Sequence, residues 1–180
     1  GIPANRILFS GVGKTAIELR AALAAGILCF NVESEPELDL LSKLAVEAGK
    51  TARISLRVNP DVDAGTHAKI ATGKSENKFG IPISRARAVY AEAASLSGLQ
   101  VTGVDMHIGS QIPDPESYGD AIQFLLKCKD AGVAKGHDIR YIDVGGGFPV
   151  VYDPSKKKLP IGPFAKTIIS ILKNTGCTVL

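Results

Sequence analysis

Tryptophan is absent from the 180 residues, and nowhere do aromatic and basic side chains interleave. That removes the usual stacking platform for bases, and a net charge of +3 gives little field to hold a phosphate backbone. Nucleic acid is therefore not expected as a partner, and the run Lys156-Lys157-Lys158 reads as a solvated loop. Cysteine is scarce: Cys29, Cys128 and Cys177 are odd in number, far apart and without C-x-x-C spacing. This argues against a disulfide framework and a zinc site, and for a reducing, cytoplasmic setting, with Cys29 as core. The histidines, His67, His107 and His137, show no metal-ligand spacing such as H-E-x-x-H, so no metal is expected. No apolar run reaches the roughly 20 residues that a membrane-spanning helix needs. The chain opens at Gly1 without Met, charged n-region or h-region, so neither a signal peptide nor a natural start is read there.

What is present is ordinary for one soluble domain: 45% hydrophobic and 22% charged residues. Short apolar runs predict strands at 7–10, 27–32, 53–59, 101–108 and 141–144, and a last one from Thr178. A helix should follow each of the first five, and the last reads as a strand cut off as it begins. The first starts near Thr15, with Ile17, Ala21 and Ala24 inward and Gly26 as its stop. Ser34 caps the second, with Pro36 in its first turn and Glu37 at the capping-box position. Leu38, Leu41 and Ala45 form its inner stripe. Ser84 is predicted to cap a third helix carrying Val89, Ala93 and Leu96. Asp114-Pro115 starts a fourth through Tyr118, Ile122 and Leu125, and Pro163 begins a fifth. The segment Asp61–Gly80 fits no element and is long for a plain connection.

Alternating strands and helices with apolar strands predict a parallel sheet of βα units, open and doubly wound or closed as a (β/α)₈ barrel. Period-two alternation favours the barrel. Ile54, Leu56 and Val58 share one strand face, while Ser55, Arg57 and Asn59 share the other. Asn31 and Glu33, Asp105 and His107, and Asp143 fall likewise on polar faces near the strands' carboxyl ends. An open sheet covered by helices on both sides would be apolar on both faces. In a barrel the polar faces would converge at the mouth, where barrel active sites lie. A full barrel takes roughly 250 residues, so 180 imply an incomplete one.

Ser10-Gly11-Val12-Gly13-Lys14-Thr15 ends like a P-loop, but Leu8 stands where the pattern needs its first glycine, so that reading is rejected and Lys14 defaults to solvent. Tyr141-Ile142-Asp143-Val144-Gly145-Gly146-Gly147 is a short strand running into three bare-backbone residues. Such a turn can form an anion-cradling nest, although Gly-Gly-Gly alone is as well a floppy turn. His107-Ile108-Gly109-Ser110-Gln111 sets an imidazole at the rim beside a hydroxyl. Arg57 is read equally as a partner of Asp105 or Asp143 and as a cation beside an anionic ligand. His67 and His137 default to surface, and Asn77-Lys78-Phe79-Gly80 has no derivable mechanism.

Together these stretches, with Phe30-Asn31-Val32-Glu33-Ser34 and Arg57-Val58-Asn59-Pro60-Asp61-Val62-Asp63, resemble the diaminopimelate decarboxylase family. Its members are pyridoxal-phosphate enzymes with an alanine-racemase-like barrel. The resemblance spans the whole chain and implies a partial cofactor-binding barrel domain over residues 1–180. It implies decarboxylation of meso-diaminopimelate to L-lysine by a cytoplasmic homodimer. His107 matches the histidine that stacks on the pyridine ring. Ser110, Gly145, Gly146 and Gly147 match the phosphate site, and Arg57 matches a strand arginine near the cofactor. The family's Schiff-base lysine and C-terminal β domain have no counterpart in these residues, and neither Lys14 nor Lys78 is promoted to that role. By this likeness the chain is the middle of the enzyme and inactive alone. The related ornithine and arginine decarboxylases share the histidine and triple-glycine motifs. A homologue that only binds or regulates is the reading from another class.

Overall fold

The computed structural model describes residues 1–59, 79–152, 155 and 159–180. Most of the unassigned Asp61–Gly80 segment, with His67 and Lys78, lies outside the described residues, as do Lys156-Lys157-Lys158.

After a 3₁₀ turn at Ala4–Arg6, strands and helices alternate: β1 Leu8–Phe9, α1 Ala16–Ala25, β2 Cys29–Val32, α2 Glu35–Glu47 and β3 Ala52–Asn59. Then come β4 Ile81–Pro82, α3 Ile83–Ser95, β5 Leu99–Asp105, α4 Pro115–Val133, β6 Tyr141–Asp143, α5 Gly162–Leu172 and β7 Thr178–Val179. Among the described residues every pairing is parallel, and the order across the sheet is β1-β2-β3-β5-β6-β7, with the short β4 on the end of β3. A doubly wound sheet reverses direction at a switch point. This order never reverses.

The sheet also curls. β2 and β6 are separated by two strands, about 14 Å across a flat sheet at the usual spacing. Yet Asn31 Nδ2 of β2 donates to Oδ2 of Asp143, the last residue of β6, at 2.9 Å. Only a wall bent towards its own axis brings those side chains into contact. The architecture is a curled half-barrel with its helices outside, an incomplete (β/α)₈ barrel.

The helices pack through the stripes expected of amphipathic segments. Leu38, Leu41 and Ala45 of α2 are wholly buried, as are Val89 of α3 and Ile122 of α4. Each buried leucine or isoleucine contributes about 1.5–3 kcal/mol relative to an exposed one. Helix α1 differs from expectation: Ile17, Ala21 and Ala24 face solvent, and Leu19 and Leu23, one turn apart, are buried instead. Its Thr15–Glu18 capping box is complete. Ser34 caps α2 by accepting from Glu37 N, and Asp114 caps α4 from Glu116 N. Ser84 does not cap α3, whose N-cap is Pro82 with no side-chain bond. No helix among the described residues is long and apolar enough to cross a membrane.

Candidate active site

The strand ends carry a row of ionisable side chains. Arg57 of β3 is in register with Asp105 of β5, and Asp105 with Asp143 of β6, while Glu33 follows the last residue of β2. All point to the inner face, because Leu56, Val104 and Ile142, one residue earlier, take the helix side. Arg57 pairs with neither candidate named from sequence: its Nη1 donates to Glu33 Oε2 at 2.5 Å. Glu33 Oε1 accepts the N–H of Gly11 at 2.7 Å, which ties the β1–α1 loop to the row. Asp143 takes Asn31 on one oxygen and the Gly145 N–H, at 2.9 Å, on the other.

The triple glycine follows at once. Gly145 and Gly147 have φ of +72° and +93°, a region costly to side-chain-bearing residues. Space forbids side chains there as well. A Cβ on Gly145 would strike the Met106 carbonyl and come within 3.2 Å of His107 Nδ1; one on Gly147 would strike the Gly109 carbonyl. Gly147 O accepts the Ile112 N–H at 3.0 Å, so the 107–112 and 145–147 loops are joined. Behind them Tyr118 donates its hydroxyl to Gly146 O at 2.7 Å and stacks on Phe148 with centroids 5.1 Å apart. The cleft side of Gly146 is open, with nothing within 4 Å of an added Cβ. No hydrogen bond among the described residues engages the Gly146 or Gly147 N–H.

These groups line one open cleft of about 630 Å³ that includes Leu8, Gly11, Arg57, Asp105, His107, Asp143, Gly145 and Gly146. His107 sits two residues past the end of β5, exposed in the cleft. Burial and then Arg57 depress its pKa, against Glu33 and Asp143, favouring the neutral ring. Ser110 is exposed on the same loop but does not line the cleft itself. Its neighbour Gln111 has a left-handed φ of 58° and accepts Val150 N at 2.8 Å. His137 lies elsewhere, half-buried against Tyr90, whose carbonyl its Nε2 meets at 2.8 Å.

Two groups escaped the sequence reading. Lys14 is buried: its Nζ meets Gly11 O, Asn31 O and Glu37 Oε1, each at 2.7 Å. All three ammonium donors are used, which removes it as a free amine. Tyr118, read only as part of a helix stripe, supports the glycine turn.

Asp105 is 2% exposed, and burial, then Asp143, raises its pKa from 3.8 to about 8. Its folded form binds a proton that the unfolded chain has released, so stability falls as pH rises from about 4 to about 8. Asp105→Asn is expected to melt with the wild type near pH 4 and increasingly above it towards pH 8. Each kcal/mol recovered is worth roughly 2–4 °C of Tm for a domain of this size. Melting curves across that range check it, and a margin independent of pH contradicts it.

The family described as "Pyridoxal-dependent decarboxylase, pyridoxal binding domain" matches residues 1–178. The chain is 49% identical over 180 residues to the diaminopimelate decarboxylase of Pseudomonas aeruginosa, covering all of this chain and 43% of that protein. It is 43% identical over 180 residues to that of Aquifex aeolicus, again covering all of this chain and 43% of the relative. The crystal structure of Helicobacter pylori diaminopimelate decarboxylase complexed with L-lysine superposes with a TM-score of 0.89 at 40% identity, covering 99% of this chain and 45% of that one. The chain thus spans less than half the length of the relatives it matches.

Proposed function

Because this chain belongs to the pyridoxal-dependent decarboxylases, we propose that the protein carrying it decarboxylates meso-diaminopimelate to L-lysine with pyridoxal phosphate. Residues 1–180 are then part of its cofactor-binding barrel domain, in a cytoplasmic homodimer. The observation that carries this reading is the meeting of His107 with the Gly145–Gly147 turn at one rim of a curled parallel wall. The residues suit the cofactor: two open N–H groups where an added Cβ on Gly146 would meet nothing, a flat imidazole, and polar atoms left unpaired among the described residues on the cleft floor. When bound, pyridoxal phosphate supplies a sink for the electron pair left by a departing carboxylate.

The chain's own part is to hold and orient. The N–H groups of Gly146 and Gly147, with Ser110 nearby, take the phosphate as a nest takes an anion. His107 offers the face of a largely neutral ring. Arg57, fixed by Glu33, keeps its Nε unpaired among the described residues, beside the cleft. Asp143 sets the start of the turn through the Gly145 N–H.

Carbon dioxide release from meso-diaminopimelate, ornithine and arginine by the full-length protein tests the substrate, and preference for either of the last two moves the assignment to that branch. Cofactor binding without release from any of them favours the binding homologue. In His107→Ala we expect a 10- to 100-fold weaker hold on the cofactor, about 1.4–2.7 kcal/mol. Turnover falls with it, while circular dichroism is unchanged. Wild-type affinity and turnover would remove His107 from the site.

A further inference from the structure

A turn made of glycines has little of its own to keep its peptides facing one way, because no Cβ stands beside them. The unit joining Gly146 to Gly147 has glycine on both sides, and a Cβ on Gly146 would meet nothing within 4 Å. A trans peptide carries its C=O and its N–H in opposite directions. Turned over, this unit would withdraw the Gly147 N–H from the cleft and present a carbonyl oxygen in its place. The first arrangement attracts an anion, and the second repels it.

The flanking peptides have ties of their own. Asp143 Oδ1 accepts the Gly145 N–H at 2.9 Å, and Gly147 O accepts the Ile112 N–H at 3.0 Å. Between them, Gly146 O accepts the Tyr118 hydroxyl at 2.7 Å. Tyr118 stands near the start of α4, just after the Asp114 cap, and is wholly buried. Its ring stacks on Phe148 with 10° between the planes and meets Phe164 of α5 edge-on, with centroids 5.8 Å apart. Phe148 and Phe164 close the set edge to face at 5.5 Å. Contacts of this kind fix the plane of a ring as well as its depth. A phenylalanine would satisfy that packing. Only the hydroxyl reaches the turn, and a carbonyl that accepts a hydrogen bond makes the N–H of the same peptide a better donor.

We propose that Tyr118 is a positioning residue: its hydroxyl holds the Gly146–Gly147 peptide with the carbonyl behind the turn and the N–H towards the cleft. The inference rests on the function proposed above and deepens it. Tyr118 touches no ligand. It acts through one peptide, so its effect belongs to the anionic group of the ligand and not to the rest of it.

The full-length protein with Tyr118→Phe loses one oxygen and keeps all three rings. Spectroscopic titration of the cofactor-free protein is expected to show about tenfold weaker binding of pyridoxal phosphate. Binding of pyridoxal, which lacks the phosphate, should stay within about twofold of wild type. Inorganic phosphate, competing against pyridoxal phosphate, should weaken as the cofactor does. Equal losses for pyridoxal and pyridoxal phosphate would make Tyr118 a packing residue and overturn the inference. Wild-type affinity for all three ligands overturns it too and leaves the cofactor reading standing. Failure of the wild type to bind pyridoxal phosphate overturns that reading, and the inference with it. If Tyr118→Phe does not fold, Phe164→Leu decides, since it frees the ring on one side and keeps the hydroxyl. A loss confined to the phosphate-bearing ligands supports the proposal there, and an equal loss refutes it.

Discussion

Gly147→Ala is expected to weaken the full-length protein's hold on pyridoxal phosphate by 100-fold or more. Two costs add at this position. A φ of +93° is penalised by about 1–2 kcal/mol once a Cβ is present. The added methyl also strikes the carbonyl oxygen of Gly109, a backbone atom that no rotamer change can move aside. Overpacking of that kind costs about 1–3 kcal/mol. The loop escapes only by parting from the 107–112 segment, which breaks the Ile112 N–H to Gly147 O bond and turns the open N–H groups away. A 100-fold loss is about 2.7 kcal/mol, inside that sum. Gly146→Ala is the control: its Cβ meets nothing within 4 Å and its backbone is not left-handed, so the fold stays intact. Its methyl enters only the cleft, and any loss of affinity there reports crowding of the ligand. Spectroscopic cofactor titration of both variants, with melting curves, checks the pair. Wild-type affinity in Gly147→Ala would take the turn out of the binding site.

The rim row was legible because strand geometry is simple. Alternation in Arg53–Asn59 and Val101–Asp105 assigns faces without tertiary knowledge, and the glycines after Asp143 announce a turn that side chains cannot occupy. Partners were harder to read. Arg57 pairs with Glu33, which also accepts the Gly11 N–H of the β1–α1 loop, and a partner 24 residues away does not show in local spacing. The inner face of α1 misled because an alanine-rich helix has little contrast between its sides. The predicted end of β5 at Ile108 overran the observed Asp105 because apolar character continues through Met106 while the ladder stops. Glu37 occupied a capping-box position, but its carboxylate left the cap for Lys14, 23 residues away.

That exchange makes Lys14→Met the most destabilising change to expect outside the glycine turn. Lys14 Nζ is almost fully buried, paired with Glu37 at 2.7 Å and 5.5 Å from the Phe9 ring centroid. Removing one partner of a buried pair costs about 3–5 kcal/mol, because the other charge is left unpaired. Burial already pushes the Glu37 pKa up against the pull of Lys14, so without the lysine Glu37 takes up a proton and the loss deepens as pH rises. A fall in Tm on the order of 10 °C is expected at pH 7, and a smaller one at pH 5. Lys14→Met with Glu37→Leu should recover only part of it. The double variant has no orphaned charge, but the carbonyls of Gly11 and Asn31 still lose their donor. Gly11 lines the cleft, so weakened cofactor binding should persist in the double variant after stability has partly returned. Equal melting of Lys14→Met and wild type would show that the ammonium is dispensable, and full recovery of both properties would reduce its role to charge balance.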